Sequence, residues 1–446
     1  MNPTIFKAYD VRGIYPGEIN EEAAYSVGRA FAQFIAKQSQ KKVIKIVLGR
    51  DNRLSSLSLF NELKRGVIEQ GGDVIDTGLS TTPMMYFSVV DYGADGGINV
   101  TASHNPKQYN GLKFVKEMAI PISEENGIRE IRDMALSNNF DRPERHGEII
   151  VKDPKSDYVL SFGNNNAFNT KVIVDTANSV SGIIVSDMFK NVKLTHIFSE
   201  LDGNFPNHEP DPLKEENTVS IRGRVIKDKA GLGISFDGDG DRVFFIDENG
   251  NTVSSDLILS LVASLILKDN PKSKILYDVR CSNIVKETVE RLGGEAVMSR
   301  VGHSFIKAKM RSEDIVFGAE YSGHYYARYA GKYYFENPYF VAFSILQEME
   351  KTGKPLSQLI NQFRIYFHSG EINFKVDDKE KIIEEARKKY GDGRITLIDG
   401  LRIDFDDWWF SLRASNTEPL LRLIVEGKTK EKMVEKLEEI KQIILN

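Results

Sequence analysis

The chain has almost no cysteine: Cys281 is the one thiol in 446 residues. That excludes an intrachain disulfide and a cysteine-rich zinc site. Long apolar runs are also missing. The greasiest stretch, Leu257 to Leu267, is broken by serines and too short to span a bilayer, so it reads as a buried helix. The opening Met1-Asn2-Pro3-Thr4-Ile5 lacks a basic stretch followed by an apolar core, so no signal peptide is expected. Nor does one sign of charge dominate. Lys and Arg number 59 against 64 Asp and Glu, a net charge of -5, which argues against a nucleic-acid partner. The expectation is a cytoplasmic globular protein that contacts neither membrane nor nucleic acid.

The length allows two to four domains. In the first part, helical apolar spacing at residues 21–37, 57–68 and 83–90 alternates with short apolar runs at 44–48, 73–76 and 97–100. Strands alternating with helices imply a mainly parallel sheet covered on both faces. The rhythm restarts with strands expected at 172–174, 194–198 and 233–236, and again at 275–277, 295–298 and 315–317. These read as three α/β units of similar size, open to duplication. The last part differs. Strands are expected at 372–376, 395–398, 402–405, 408–412 and 421–425, followed by a helix with Met433, Leu437, Ile440 and Ile444 on one face. That is an α+β domain. The boundaries fall near 150, 250 and 367, giving domains 1–150, 151–250, 251–367 and 368–446.

Four segments carry chemistry. Thr101-Ala102-Ser103-His104-Asn105-Pro106 follows an expected strand, where open α/β sheets bind ligands, with Lys113 close behind. Taken alone, it is equally an ordinary β–α loop. Asp237-Gly238-Asp239-Gly240-Asp241-Arg242 sets three carboxylates at alternate positions, with glycines that let the backbone gather them around a hard cation. It is not an EF-hand: Arg242 occupies the position where that loop needs glycine, and residues 243–246 read as a strand. Gly318-Ala319-Glu320-Tyr321-Ser322-Gly323-His324 offers Glu320 and Ser322 to sugar hydroxyls, though a plain turn explains it as well. Arg413-Ala414-Ser415-Asn416-Thr417-Glu418-Pro419, with Arg422 beyond it, has the makings of a phosphate clamp or of a polar hairpin. Arg12, beside Tyr9 and Asp10, and His303, after Gly302, are single residues of less specific meaning. A serine oxygen plus a divalent ion suits an enzyme that stores a phosphoryl group on itself.

In this order the segments resemble the α-D-phosphohexomutase family, most closely its bacterial and archaeal phosphomannomutase/phosphoglucomutase branch, over essentially the whole chain. The resemblance implies a heart-shaped, four-domain α/β enzyme with a central cleft to which each domain gives one loop. Ser103 would be the phosphorylated serine, and Asp237, Asp239 and Asp241 would join it in binding one Mg2+ per active site. Glu320 and Ser322 would hold sugar hydroxyls. Arg413, Ser415, Asn416, Thr417 and Arg422 would grip the non-reacting phosphate. Arg12, Lys113, Arg242, His303 and His324 would line the reacting end, with His303 or Lys113, assisted by Arg12, moving the proton. Tyr9, Arg280 and Gly302 complete the substrate site.

The implied reaction interconverts hexose 1- and 6-phosphates of mannose or glucose through a hexose 1,6-bisphosphate, which also serves as activator. Two departures bear on substrate preference: Arg280 stands where many relatives have lysine, and Tyr321 where the branch usually has methionine. The alternatives are a phosphoglucosamine mutase, a metal-dependent phosphatase, and a non-catalytic phosphosugar-binding protein. The implied partner is a small phosphosugar; oligomeric state is left open, with a monomer favoured.

Overall fold

The computed structural model describes residues 1–163, 167–414 and 420–445. The chain divides into two compact units, one of Met1–Val253 with Ser322–Ser357, the other of Ser254–Tyr321 with Gln358–Asn446.

The first unit contains two sheets. Strands β1 (Asp10–Ile14), β2 (Lys45–Arg50), β3 (Asp73–Leu79), β4 (Gly96–Val100), β5 (Tyr109–Lys116), β6 (Ile120–Pro121) and β7 (Ile149–Val151) form a sheet of order β1-β5-β4-β2-β3-β7, with β6 on β5. Strands β4, β2, β3 and β7 run parallel, while β5 is antiparallel to β4 and to β1. The helix Glu21–Ser39 starts where the Asn20 side chain accepts from the Ala23 amide and ends where Gln40 turns left-handed. Its Val27, Phe31, Phe34 and Ile35 bury against Ile46, Leu48, Ile98 and Val100. On the opposite face Met85, Tyr86 and Val89, from the helix Thr82–Asp91, meet Val47, Ile75 and Val115. Ile46 and Val47 are neighbours in sequence yet face opposite layers, as strand alternation requires. Burying each such side chain contributes roughly 1.5–3 kcal/mol.

The second sheet comprises β8 (Phe168–Asp175), β9 (Val192–Ile197), β10 (Leu232–Phe236), β11 (Val243–Ile246) and β12 (Thr252–Val253), in the order β12-β11-β10-β8-β9. β10 runs parallel to β8 but antiparallel to β11, and Phe236 pairs with Val243. The carboxylate run is therefore the loop of a hairpin. The unit also holds the hairpin of Tyr325–Tyr329 with Tyr333–Glu336 and the helix Pro338–Thr352. Tyr339 and Phe343 of that helix pack on Phe189, and Tyr339 also on Phe236.

In the second unit, Lys274–Asp278 lies between Glu295–Ser299 and Phe317–Ala319, all parallel. Helix Ser255–Asp269 contains the greasy stretch, and its core side of Ile258, Leu259, Val262 and Ala263 is inaccessible to solvent. The C-terminal part is the expected α+β arrangement. Its antiparallel sheet has the order Phe367–His368, Leu420–Gly427, Trp408–Ala414, Leu401–Asp404, Arg394–Thr396, with Ile372–Lys375 also on Leu420–Gly427. The last helix, Lys430–Leu445, packs its Met433, Leu437, Ile440 and Ile444 face on that sheet.

Some elements depart from the sequence reading. Strands β1 and β5 went unread because Arg12, Gly13, Asn110, Gly111 and Lys113 interrupt their apolar pattern. Expected strand 315–317 begins only at Phe317. Leu397 and Ile398 fall outside their expected strand and are largely exposed.

Candidate active site

The serine loop leaves β4 at its C-terminal end and turns sharply back into β5. The Asn105 amide donates to the Ala102 carbonyl at 3.0 Å, and the Ser103 amide donates to Thr101 Oγ1 at 2.9 Å. Ser103 itself has φ 51°, a left-handed conformation that costs a non-glycine residue energy. Its hydroxyl donates to Asp237 Oδ2 at 2.8 Å and lies 3.2 Å from His104 Nδ1. Two residues 134 positions apart thus meet in a buried contact.

The hairpin loop reaches that contact because of two glycines. A Cβ on Gly238 would stand 2.3 Å from the Ser103 carbonyl oxygen, and Gly240 has φ 72°. Asp237, Asp239 and Asp241 are almost fully buried, with carboxylate oxygens within 4.8 Å of one another. Lys113, from β5, donates to Asp239 Oδ2 at 2.7 Å and also pairs with Asp241. Burial disfavours the Lys113 charge, but Asp239, Asp241 and Asp237 outweigh it and hold the ammonium well above its usual pKa. Burial, then repulsion from Asp241 and Asp239, pushes the Asp237 carboxyl well above the usual range. Asp239 Oδ1 is buried without a hydrogen-bond partner among the described residues. An acidic group with such an oxygen fits a hard cation.

Cationic groups surround this centre. Arg12 donates to Asn105 Oδ1 at 2.7 Å and pairs with Asp10; Tyr9 beside it is half-buried. Arg242 donates from Nε to His324 Nε2 at 3.0 Å. A guanidinium only donates, so His324 Nε2 accepts and the imidazole proton sits on Nδ1. Nδ1 lies 3.6 Å from Asp241 and 4.0 Å from Glu336. His104 is held neutral, by burial first and then by Arg242, Arg12 and Lys113.

Sequence reading missed two contributors here, Arg53 and Thr82. Arg53, inaccessible to solvent, donates to the carbonyls of Ser103 and Asn105 at 2.7 Å each and of Pro106 at 2.8 Å, while pairing with Asp51. Thr82 Oγ1 donates to Asp239 Oδ2 at 2.6 Å. His104, inside the serine segment itself, lies against the serine hydroxyl. Arg53 binds backbone, which leaves no local motif to read. The one hint at Thr82 was its place at a helix start, after the Thr81 cap.

The second unit gathers another set. Arg280 pairs with Asp278 at 2.7 Å and stands 3.6 Å from Glu320. Glu320 accepts the Gly302 amide at 2.8 Å, where helix His303–Glu313 begins. Asp399 accepts from the Val301 amide at 3.1 Å and pairs with Arg413 at 3.0 Å. Arg413 and Arg422 are cross-strand neighbours that share Glu371, at 3.3 and 3.8 Å. Tyr321 stacks on His368 with ring centroids 5.0 Å apart. Ser322 opens the returning segment of the first unit, two residues before His324. Ser415, Asn416 and Thr417 lie outside the described residues.

Comparison with known proteins covers nearly all of the chain. Models of the phosphoglucomutase/phosphomannomutase family match in four parts: α/β/α domain I at residues 3–142, domain II at 155–250, domain III at 254–366 and the C-terminal domain at 371–443. A phosphomannomutase of Methanocaldococcus jannaschii is 40% identical over 99% of this chain and 97% of its own. One of Escherichia coli is 37% identical over 95% of each chain. A crystal structure of a phosphoglucomutase/phosphomannomutase family protein from Burkholderia thailandensis superposes with a TM-score of 0.91 at 31% identity, covering 99% of this chain and 97% of its own. No helix among the described residues is long and apolar enough to cross a membrane. From the serine to the C-terminal sheet, then, the chain belongs to the phosphoglucomutase/phosphomannomutase family of α-D-phosphohexomutases and is a phosphohexomutase, an isomerase.

Proposed function

We propose that the protein interconverts the 1- and 6-phosphates of mannose, and of glucose as a second substrate, in the cytoplasm, carrying the transferred phosphoryl group on Ser103. The observation that supports this reading most is the 2.8 Å hydrogen bond from Ser103 to Asp237, which joins the serine to the buried acidic group. Mannose is favoured by the phosphomannomutase names of relatives 37–40% identical to the chain.

Asp237, Asp239 and Asp241, with a Ser103 oxygen, would hold Mg2+. When bound, the ion offsets the roughly two charges of a phosphoserine and polarises its phosphorus for in-line transfer. Lys113 and Arg242 supply fixed positive charge beside the serine. Lys113 is a poor base while two carboxylates hold its proton, which leaves an imidazole, His303 or His324, to take the proton of the sugar hydroxyl. The Asp237 carboxylate, which already accepts from the Ser103 hydroxyl, would take the proton that Ser103 sheds when phosphate returns to it. Arg53 holds the loop so that Ser103 Oγ does not drift from that line.

In the second unit, Glu320 and Arg280 would bind sugar hydroxyls, and Arg413 with Arg422 would grip the phosphate that is not reacting. That clamp must accept either end of a hexose 1,6-bisphosphate as the intermediate turns over. The same bisphosphate reloads an empty serine.

A coupled assay on mannose 1-phosphate and glucose 1-phosphate, with Mg2+ and glucose 1,6-bisphosphate, tests the reading. Isomerisation lost in Ser103→Ala, together with loss of a phosphorylated Ser103 peptide in mass spectra, is expected. Release of inorganic phosphate without isomer would overturn it in favour of a phosphatase.

A further inference from the structure

Strand β7 ends the first sheet and differs from every other described strand in being exposed along its whole length. Ile149, Ile150 and Val151 show 51%, 39% and 79% of their surface. An exposed apolar edge strand is a template for another strand, and proteins normally blunt such edges. Here the flanking charges are Glu148 before the run and Lys152 after it.

The hydrogen bonds to β3 fix which groups are free. Val74 N–H donates to the Glu148 carbonyl at 2.8 Å, and Lys152 N–H donates to the Asp76 carbonyl at 3.0 Å. Ile75 is in register with Ile150. Positions 148, 150 and 152 therefore turn their backbone toward β3. Alternation turns the N–H and C=O of Ile149 and Val151 to the open side.

We infer that β7 is a self-complementary docking edge, and that its occupant is β7 of a second copy of this chain, antiparallel about a two-fold axis at Ile150. In that register Ile149 faces the partner's Val151 as a hydrogen-bonded pair. Both outward-facing residues of each copy exchange N–H···O=C bonds, four in all. Ile150 meets its own copy at the close, non-hydrogen-bonded position. Glu148 then stands opposite the partner's Lys152, twice by symmetry, also at close positions. A shift by one residue would set each outward N–H against a backbone that faces β3, so both backbone polarity and charge select this pairing. The existing neighbours leave it open. Lys152 Nζ rests 4.0 Å from the Tyr92 ring centroid and Glu148 is 4.0 Å from Arg145, yet both side chains remain exposed.

The contact is small, so the dimer should be concentration-dependent, populated in the range of roughly 10–100 µM. Sedimentation of the full-length protein across that range tests it. The wild type should shift from monomer to dimer. Glu148→Lys and Lys152→Glu, each placing like charges opposite one another twice, should each weaken association about tenfold or more. The double swap should restore it. Val151→Pro removes an N–H that faces only the open edge, so it should abolish the dimer while thermal stability and isomerase activity stay unchanged. A wild type that stays monomeric at 100 µM overturns the inference, as does a dimer indifferent to Val151→Pro or to the charge swaps.

Discussion

Arg53 Nη2 donates to the carbonyl oxygen of Ser103 at 2.7 Å, from a side chain with no solvent exposure. With Asn105, Pro106 and Tyr109 also accepting from this guanidinium, one residue pins the entire serine loop. Arg53→Met keeps much of the volume but strands Asp51 and four carbonyls. The expected cost is about 3–5 kcal/mol of stability, with turnover reduced more than KM rises. Denaturant unfolding together with steady-state kinetics checks both; a variant with wild-type turnover would show that the loop needs no staple.

Gly238 is the second support of that loop. The 2.3 Å approach of an added Cβ to the Ser103 carbonyl leaves no room for a methyl group. Gly238→Ala should push the two loops apart and cut isomerisation at least about tenfold, since ångström-scale misplacement carries penalties of that size or larger. Isothermal titration should show weaker Mg2+ binding in the same variant.

Lys113 offsets three buried carboxylates through its contacts with Asp239 and Asp241. Lys113→Met leaves that charge uncompensated, and an ion binding only the folded state restores stability by mass action. Melting temperature in chelator should fall by several degrees, and the gain on adding Mg2+ should exceed that of the wild type. Equal gains would remove Lys113 from the electrostatics of the metal group.

Two histidines near Asp175, His196 on β9 and His208 in the loop beyond it, titrate in opposite senses. His208 lies 3.1 Å from Asp175, which outweighs burial and raises its pKa. A raised pKa gives stability that is present below pH 6.5 and lost as pH rises through the folded value. Burial lowers His196 to about 4, with Asp175 opposing. The unfolded chain then takes up a proton at higher pH than the fold does, so stability falls as pH drops from about 6.5 to 4. His208→Asn should therefore cost most at pH 5.5–6 and least above 8. His196→Asn should relieve acid sensitivity. Melting curves between pH 4.5 and 8.5 check both signs.

Arg280 makes a forked contact with Asp278 that a lysine cannot reproduce. Arg280→Lys should free Asp278, loosen the Tyr321 amide that the same carboxylate accepts at 3.0 Å, and raise KM for both sugars. Comparing mannose and glucose 1-phosphates in this variant and in Tyr321→Met measures how far this loop sets preference.

The sequence by itself determined the α/β rhythm, the α+β C-terminal part and the chemistry of the local runs. Asp237, Asp239 and Asp241 are legible because alternation with glycine is a local pattern, and Met433 to Ile444 because helical spacing is one too. Tertiary structure alone decided what meets what. Nothing in residues 51–53 announces that Arg53 will bind carbonyls 50 residues onward, since backbone acceptors leave no signature in side-chain identity. Strand β5 was hidden for a related reason: its buried run is interrupted by Lys113, a charge that belongs inside only because the aspartates of another sheet's hairpin come to meet it. The direction of β7's free hydrogen bonds is likewise settled by which edge β3 occupies, a fact of register that no single strand contains.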